Sequence, residues 1–207
     1  MQGARTAFIK ENYLIILMEF IDKKTIRLNR IINELDKFVL DFVKILEKHA
    51  KYVIISGYIS ILFGRARSTE NIDVFIEKIS KEKLSALYLD LKRKGYWCLN
   101  AESKEELYDY LKDGLAIRFA KKNETIPNFE VKFVNKIGIK ALDNSITVIT
   151  KNGNLKISPI EMQIAFKRYY LKSDKDLEDA RHLESIFKER IDLNKIKDYK
   201  KIIENEA

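Results

Sequence analysis

The residues with the clearest capacity for chemistry lie between Tyr52 and Glu77. An apolar, β-branched run, Tyr52-Val-Ile-Ile, ends at Ser56-Gly57 and gives way to Tyr58-Ile-Ser-Ile-Leu-Phe63 and Gly64. That is the pattern of a strand that breaks at a tight turn and continues as a helix. Such a turn offers backbone N–H groups and the positive end of a helix to an anion, and a nucleotide's phosphates suit it. Further on, Asn71-Ile72-Asp73 leads a second apolar run, Ile72 to Ile76. Alternation along a strand puts Asn71 and Asp73 on one face, where two oxygen ligands can share a hard divalent cation, with magnesium the natural candidate. Between the runs stand Arg65, Arg67 and Thr69, and the arginines read either as phosphate contacts or as a solvated loop pair. Downstream, Phe129-Glu130-Val131-Lys132-Phe133 alternates in the same way, so Lys132 shares a face with Glu130 and is placed to bind a phosphate.

The chain around these residues has 207 residues, a net charge of +8 and 46% apolar side chains. That suffices for one globular domain, with or without a helical appendage, burying about 70% of the surface of the unfolded chain. Seven Gly and two Pro exclude collagenous and disordered classes, and the single Cys98 excludes an internal disulfide framework. Apolar runs such as Tyr13 to Met18 fall far short of the roughly 20 residues of a membrane span, so no membrane partner is expected. The first residues carry Arg5 but also Glu11, Glu19 and Asp22, with no small-residue cleavage site, which reads as an intracellular, cytoplasmic protein. Abundant Lys, Ile and Glu, with Gln only at Gln2 and Gln163, matches the composition of thermophile proteins and equally that of AT-rich coding. From Leu115 to Lys175 twelve basic residues stand against five acidic ones. The surplus attracts a phosphate-bearing partner, nucleotide or nucleic acid, and a lysine-rich solvated surface gives the same count.

Asn29 to His49 places Ile31, Ile32, Leu35, Phe38, Val39, Phe42, Val43, Ile45 and Leu46 at helical spacing, which predicts an amphipathic helix. Phe8 to Phe20 has no clean period and is read as a helix, with a strand pair as the alternative. Ser80 caps a predicted helix Lys81 to Lys94 that stops at Gly95, Tyr96 to Leu99 is a short strand, and Ser103 with Glu106 forms a capping box for a helix to Lys112. Leu115 to Ala120 and Phe129 to Val134 alternate as half-buried strands with Pro127 between them. Ile146 to Thr150 and Leu155 to Ile157 flank a turn as a hairpin. Beyond it Ser158 as N-cap, Pro159 at the first helical position and Glu161 open a helix, Ser173 or Asp174 a second through Phe187, and Asp192 a third through about Ile203. The elements predict an α/β (α+β) fold: a mixed sheet flanked by helices and followed by a C-terminal helical bundle. The boundaries fall at 1–28 for an N-terminal appendage, 29–157 for the core and 158–207 for the helical subdomain.

The run from Ser56-Gly57 to Arg67-Ser-Thr69-Glu-Asn71-Ile72-Asp73 resembles the nucleotidyltransferase superfamily. That group includes DNA polymerase beta, the aminoglycoside nucleotidyltransferases, the minimal nucleotidyltransferases and the abortive-infection toxins, and the run is closest to the last two. Asn71 departs from the motif, standing where its first aspartate belongs. Glu161-Met-Gln-Ile-Ala165-Phe-Lys167 and Lys175-Asp176-Leu-Glu-Asp179-Ala-Arg-His-Leu183 are similar to the helical tail of the same group, so the resemblance covers about Leu28 to Phe187.

The resemblance implies in-line attack of a substrate hydroxyl on the α-phosphate of ATP or another nucleoside triphosphate, with two magnesium ions held by three carboxylates and stabilising the attacking and leaving oxygens. It assigns Asp73 as the second motif aspartate and Glu130 as the third carboxylate and base, and leaves Asn71 as a carbonyl ligand without charge. It implies nucleotide contacts from Ser56, Gly57, Arg65, Arg67, Thr69, Lys132 and Lys167, with Lys175, Asp176 and Asp179 lining the cleft. The last three read equally well as charges complementing a helix start. RNA or protein is the implied acceptor, in a toxin–antitoxin setting with an antitoxin-like protein partner, and the basic stretch favours RNA. Asn71 motivates a second reading, a catalytically weakened or inactive module that holds nucleotide, RNA or a protein partner. His182 has only His49 as a fellow histidine, so no zinc site is expected and His182 reads as a surface or core residue. Cys98 beside Trp97 reads as a small buried apolar residue, and Tyr169 and Tyr170 as packing residues, with base stacking as the alternative.

Overall fold

The computed structural model describes residues 6–11 and 14–206; Gln2, Arg5 and Tyr13 lie outside them. In chain order the elements are β1 (Thr6–Glu11), β2 (Leu14–Phe20), β3 (Thr25–Asn29), α1 (Glu34–Leu46), β4 (Tyr52–Ile55), α2 (Gly57–Leu62), β5 (Asn71–Ile76) and α3 (Lys81–Arg93). There follow β6 (Tyr96–Cys98), α4 (Lys104–Lys112), β7 (Ile117–Lys121), β8 (Asn128–Phe133), α5 (Lys136–Asp143), β9 (Ile146–Thr150) and β10 (Gly153–Ile157). The chain ends with α6 (Ile160–Phe166), a π-helical turn Lys167–Leu171, α7 (Asp174–Ile186) and α8 (Leu193–Glu206). The fold is mixed α/β, as the sequence predicts. No helix among the described residues is long and apolar enough to cross a membrane.

The chain forms two compact units. The first comprises Met1–Ile31, Ile55–Arg67 and Asn144–Ala207. Its strands run in the order β1-β2-β3-β9-β10, antiparallel except for the parallel pair β3 and β9. Phe8–Phe20 is therefore not a helix but most of a hairpin, with Phe8 opposite Leu17. The strand form wins because it gives Met18 a cross-strand partner in Leu28, and both are fully buried. The helix read from Asn29 begins instead at Glu34, since β3 uses the backbone through Asn29 and Ile31 is 79% exposed. Its cap is Asn33, whose side chain accepts the Asp36 N–H at 2.8 Å while Asp36 accepts the Asn33 N–H at 3.0 Å. Pro159, not Ser158, caps α6, because the buried Ser158 hydroxyl is taken by Gln163 Nε2 at 2.6 Å.

The second unit comprises Ile32–Ile54 and Ser68–Asp143, with strand order β4-β5-β8-β7-β6. Here β5 and β8 are parallel, while β8–β7 and β7–β6 are antiparallel. The amphipathic face of α1 closes one side, with the Phe42 ring stacked on Phe129 at 3.8 Å and edge-on to Tyr96 at 5.3 Å. The capping box at α4 is half formed: Ser103 Oγ accepts the Glu106 N–H at 3.1 Å, but Glu106 turns to the Glu102 N–H at 2.8 Å. Cys98 is only partly covered, with its thiol toward Asn100 at 3.6 Å, and burial pushes its pKa up.

Candidate functional site

In the second unit β5 buries Ile72, Val74 and Ile76 and turns Asn71 and Asp73 to its half-exposed face. On the adjacent strand Asp73 is register partner of Glu130, Asn71 of Asn128 and Phe75 of Lys132. The oxygen-bearing side chains of Asn71, Asp73 and Glu130 thus share one sheet face, and Lys132 follows two residues on. Thr69 donates its hydroxyl to the Asn71 carbonyl at 2.8 Å, shaping the start of β5. The next strand adds a residue absent from the motif-based set. Arg118, register partner of Glu130, holds Glu130 Oε1 at 2.7 Å through Nη2.

In the first unit Ser56 carries the turn with φ 65° and ψ −140°, a conformation that favours glycine. Its N–H donates to Gln163 Oε1 at 2.9 Å, so α6 pins the strained residue through the same Gln163 that binds Ser158. Gly57 itself is not in the left-handed region; its missing side chain leaves room for Arg67, whose Nη2 lies 1.8 Å from where a Cβ would stand. Arg67 is 11% exposed, and its Nε and Nη1 are buried without a hydrogen-bond partner. That combination, a cradle at the turn and orphaned guanidinium N–H groups, suits an anion.

Asp179 on α7, fully buried, gathers three cations. Lys167 Nζ lies at 2.8 Å, Arg65 Nε at 2.7 Å and Arg67 Nη2 at 3.4 Å. The Arg65 Nε contact is off the line of a hydrogen bond and is electrostatic in character. Asp176 also pairs with Lys167 at 3.2 Å, and Glu178 binds Arg65. Three cations thus meet three carboxylates, and Lys167, 1% exposed, is committed to that cluster. His182, also on α7, meets the Phe63 carbonyl at 3.1 Å and serves packing against α2.

Among the described residues no group of three or more His, Cys, Asp and Glu is placed to hold a metal ion. The all-oxygen set of Asn71, Asp73 and Glu130 suits one hard divalent cation. It does not suit a pair, because these three together with Arg118 carry a net charge of only −1. Two signals escape a linear reading: Gln163, far along the chain from Ser56, and Arg118, whose role depends on the antiparallel register of β7 and β8.

With this geometry the chain is similar to the antibiotic-resistance factor ANT(2'')-Ia, with a TM-score of 0.51 at 14% identity over 83% of this chain and 94% of that one. It has the nucleotidyltransferase fold. A lincomycin-bound lincosamide antibiotic adenylyltransferase is also similar, with a TM-score of 0.48 and 16% identity over 75% of this chain and 98% of that one. An antigenic nucleotidyltransferase-like protein from Paracoccidioides brasiliensis gives 0.48 and 14% over 83% and 88%. No protein-family model and no curated protein matches the chain.

Proposed function

We propose that this chain binds a nucleoside triphosphate, ATP or another, together with magnesium and transfers the nucleoside monophosphate to a hydroxyl acceptor. The observation that carries the reading is the register of Asp73 beside Glu130 on parallel strands, with Asn71 on the same face. Bound there, a divalent cation would polarise the α-phosphate. Asp73 supplies the charged ligand and Asn71 a carbonyl oxygen. Glu130 is the base for the acceptor hydroxyl once Arg118 has released its carboxylate. In the first unit the Ser56 turn with Arg67 and Arg65 is a candidate anion cradle, and in the second unit Lys132, on the face of Glu130, is a candidate phosphate contact. Thr69 and Lys167 act indirectly in this reading, Thr69 by fixing the Asn71 backbone and Lys167 by compensating Asp179.

RNA is the favoured acceptor on the basic stretch between Leu115 and Lys175; a protein acceptor and a toxin–antitoxin pairing are the other arms. The second reading, a catalytically silent binding module, is favoured by Asn71 and by the occupied carboxylate of Glu130.

Calorimetric titration of ATP, CTP, GTP and UTP, with and without magnesium, tests both readings on the wild type and on Asp73→Ala. Magnesium-dependent binding lost in Asp73→Ala supports the enzyme reading and licenses a labelled-nucleotide search over RNA and protein acceptors. Binding indifferent to magnesium supports the silent module, and no binding at all overturns both nucleotide readings.

A further inference from the structure

We propose that Arg118 is the standing counter-cation of the acid group and restricts it to a single divalent ion. The inference rests on the metal-binding reading above and concerns how many ions the group takes and how tightly. Arg118 and Glu130 face each other across the β7–β8 ladder, with Nη2 and Oε1 2.7 Å apart. The Glu130 side chain is only 16% exposed, whereas that of Arg118 is 50% exposed. A carboxylate this well covered has its charge met by the Arg118 guanidinium before any ion arrives. An incoming cation must share Glu130 with Arg118 or displace it.

On the other side, Asn71 contributes an amide oxygen where a second carboxylate would be needed to bridge two ions. The net −1 of Asn71, Asp73, Glu130 and Arg118 leaves two divalent ions, with four positive charges, largely uncompensated by these groups. Arg118 thereby takes the electrostatic place of a second ion. Because its head is half exposed, it can swing away from Glu130 without disturbing the buried face of β7.

The test counts Mn2+ bound to the full chain by electron paramagnetic resonance of the free ion, with circular dichroism checking each variant's fold. The wild type is expected to take one Mn2+ per chain. Arg118→Gln, and Arg118→Ala as a second variant at this half-exposed position, should tighten that ion up to about fivefold, the scale of a partly exposed ion pair that the metal no longer has to break. Arg118→Lys keeps the charge and should stay near the wild type. Combining Asn71→Asp with Arg118→Gln should raise the count to two. Equal affinity in the wild type and both neutral variants, or two ions in the wild type, overturns the inference and leaves the nucleotide reading standing. Failure of every folded variant to bind Mn2+ overturns the metal-binding reading itself, and the inference with it.

Discussion

Arg67 occupies the space of the side chain that Gly57 lacks, its Nη2 1.8 Å from the position a Cβ would take. The glycine at the head of α2 is therefore required by a neighbouring guanidinium rather than by backbone freedom. In Gly57→Ala the far end of Arg67 has to move, and its contact with Asp179 at 3.4 Å goes with it. Since a flexible side chain absorbs the clash, the expected stability loss is only about 1 kcal/mol. Magnesium-dependent nucleotide affinity should fall far more, as it should in Arg67→Ala. Urea unfolding and calorimetry on both variants check the split. A large stability loss with unchanged nucleotide binding would assign Gly57 a packing role only.

Ser56 behaves in the opposite way. With φ 65° and ψ −140° it bears the strain that the adjacent glycine does not. A non-glycine residue there costs on the order of 1–3 kcal/mol, while glycine would restore up to about 1 kcal/mol of unfolded-state entropy cost. Ser56→Gly should therefore stabilise the chain by roughly 1 kcal/mol, provided the Ser56 N–H keeps its bond to Gln163 Oε1. Denaturant midpoints of Ser56→Gly and Gln163→Ala test this: the first should rise and the second fall.

Periodicity and punctuation make the strand–turn–helix at Ser56-Gly57, the strand of Asn71 and Asp73, the helix capped by Ser80 and the hairpin at Ile146 to Ile157 legible in the sequence. Each of these elements is specified by its own residues. What stays illegible depends on partners distant in the chain. Phe8–Phe20 becomes strand because Leu28 waits opposite Met18. The sequence pattern marks no element at α5, where Gly138 interrupts the helical signal; a Cβ there would lie 3.3 Å from the Phe75 ring, a tight packing that is visible only in the fold. Alternation on each strand predicts the faces of Asp73 and Glu130, but only the register places the two side by side and brings Arg118 onto Glu130.

His49 and Asp90 give a pH-dependent contact away from the acid group. The imidazole Nε2 lies 2.8 Å from Asp90 Oδ2, and this hydrogen bond, ahead of the nearby Arg93, draws the Asp90 pKa below the usual carboxylate value. A carboxyl with a depressed folded pKa adds stability above its unfolded pKa, and that contribution disappears as pH falls through the folded value. In His49→Ala the Asp90 titration should shift upward toward the ordinary range, and the acid limb of a stability–pH curve should become shallower, because a carboxyl that titrates alike in the folded and unfolded chain adds no pH dependence. Carboxyl-resolved NMR titration reads the first directly. An unchanged Asp90 midpoint would mean that Arg93 alone sustains the shift.

Asp179 and Lys167 are both buried and 2.8 Å apart, yet their removal should not be equivalent. Without Lys167, Asp179 keeps Arg65 and Arg67 as neighbours at 2.7 and 3.4 Å. Without Asp179, Lys167 retains only Asp176 at 3.2 Å, and both arginines lose a common anchor between α7 and the turn that follows α2. Breaking a buried pair on one side typically costs about 3–5 kcal/mol. Asp179→Ala is expected at or above that range, while Lys167→Met should cost about 2 kcal/mol because the methionine fills the stem's volume and the carboxylate stays compensated. The double variant should then cost little more than Asp179→Ala alone, a non-additivity that a denaturation cycle over the four proteins measures. Strict additivity would mean that the two groups act independently, and that the arginines rather than Lys167 hold Asp179 in place.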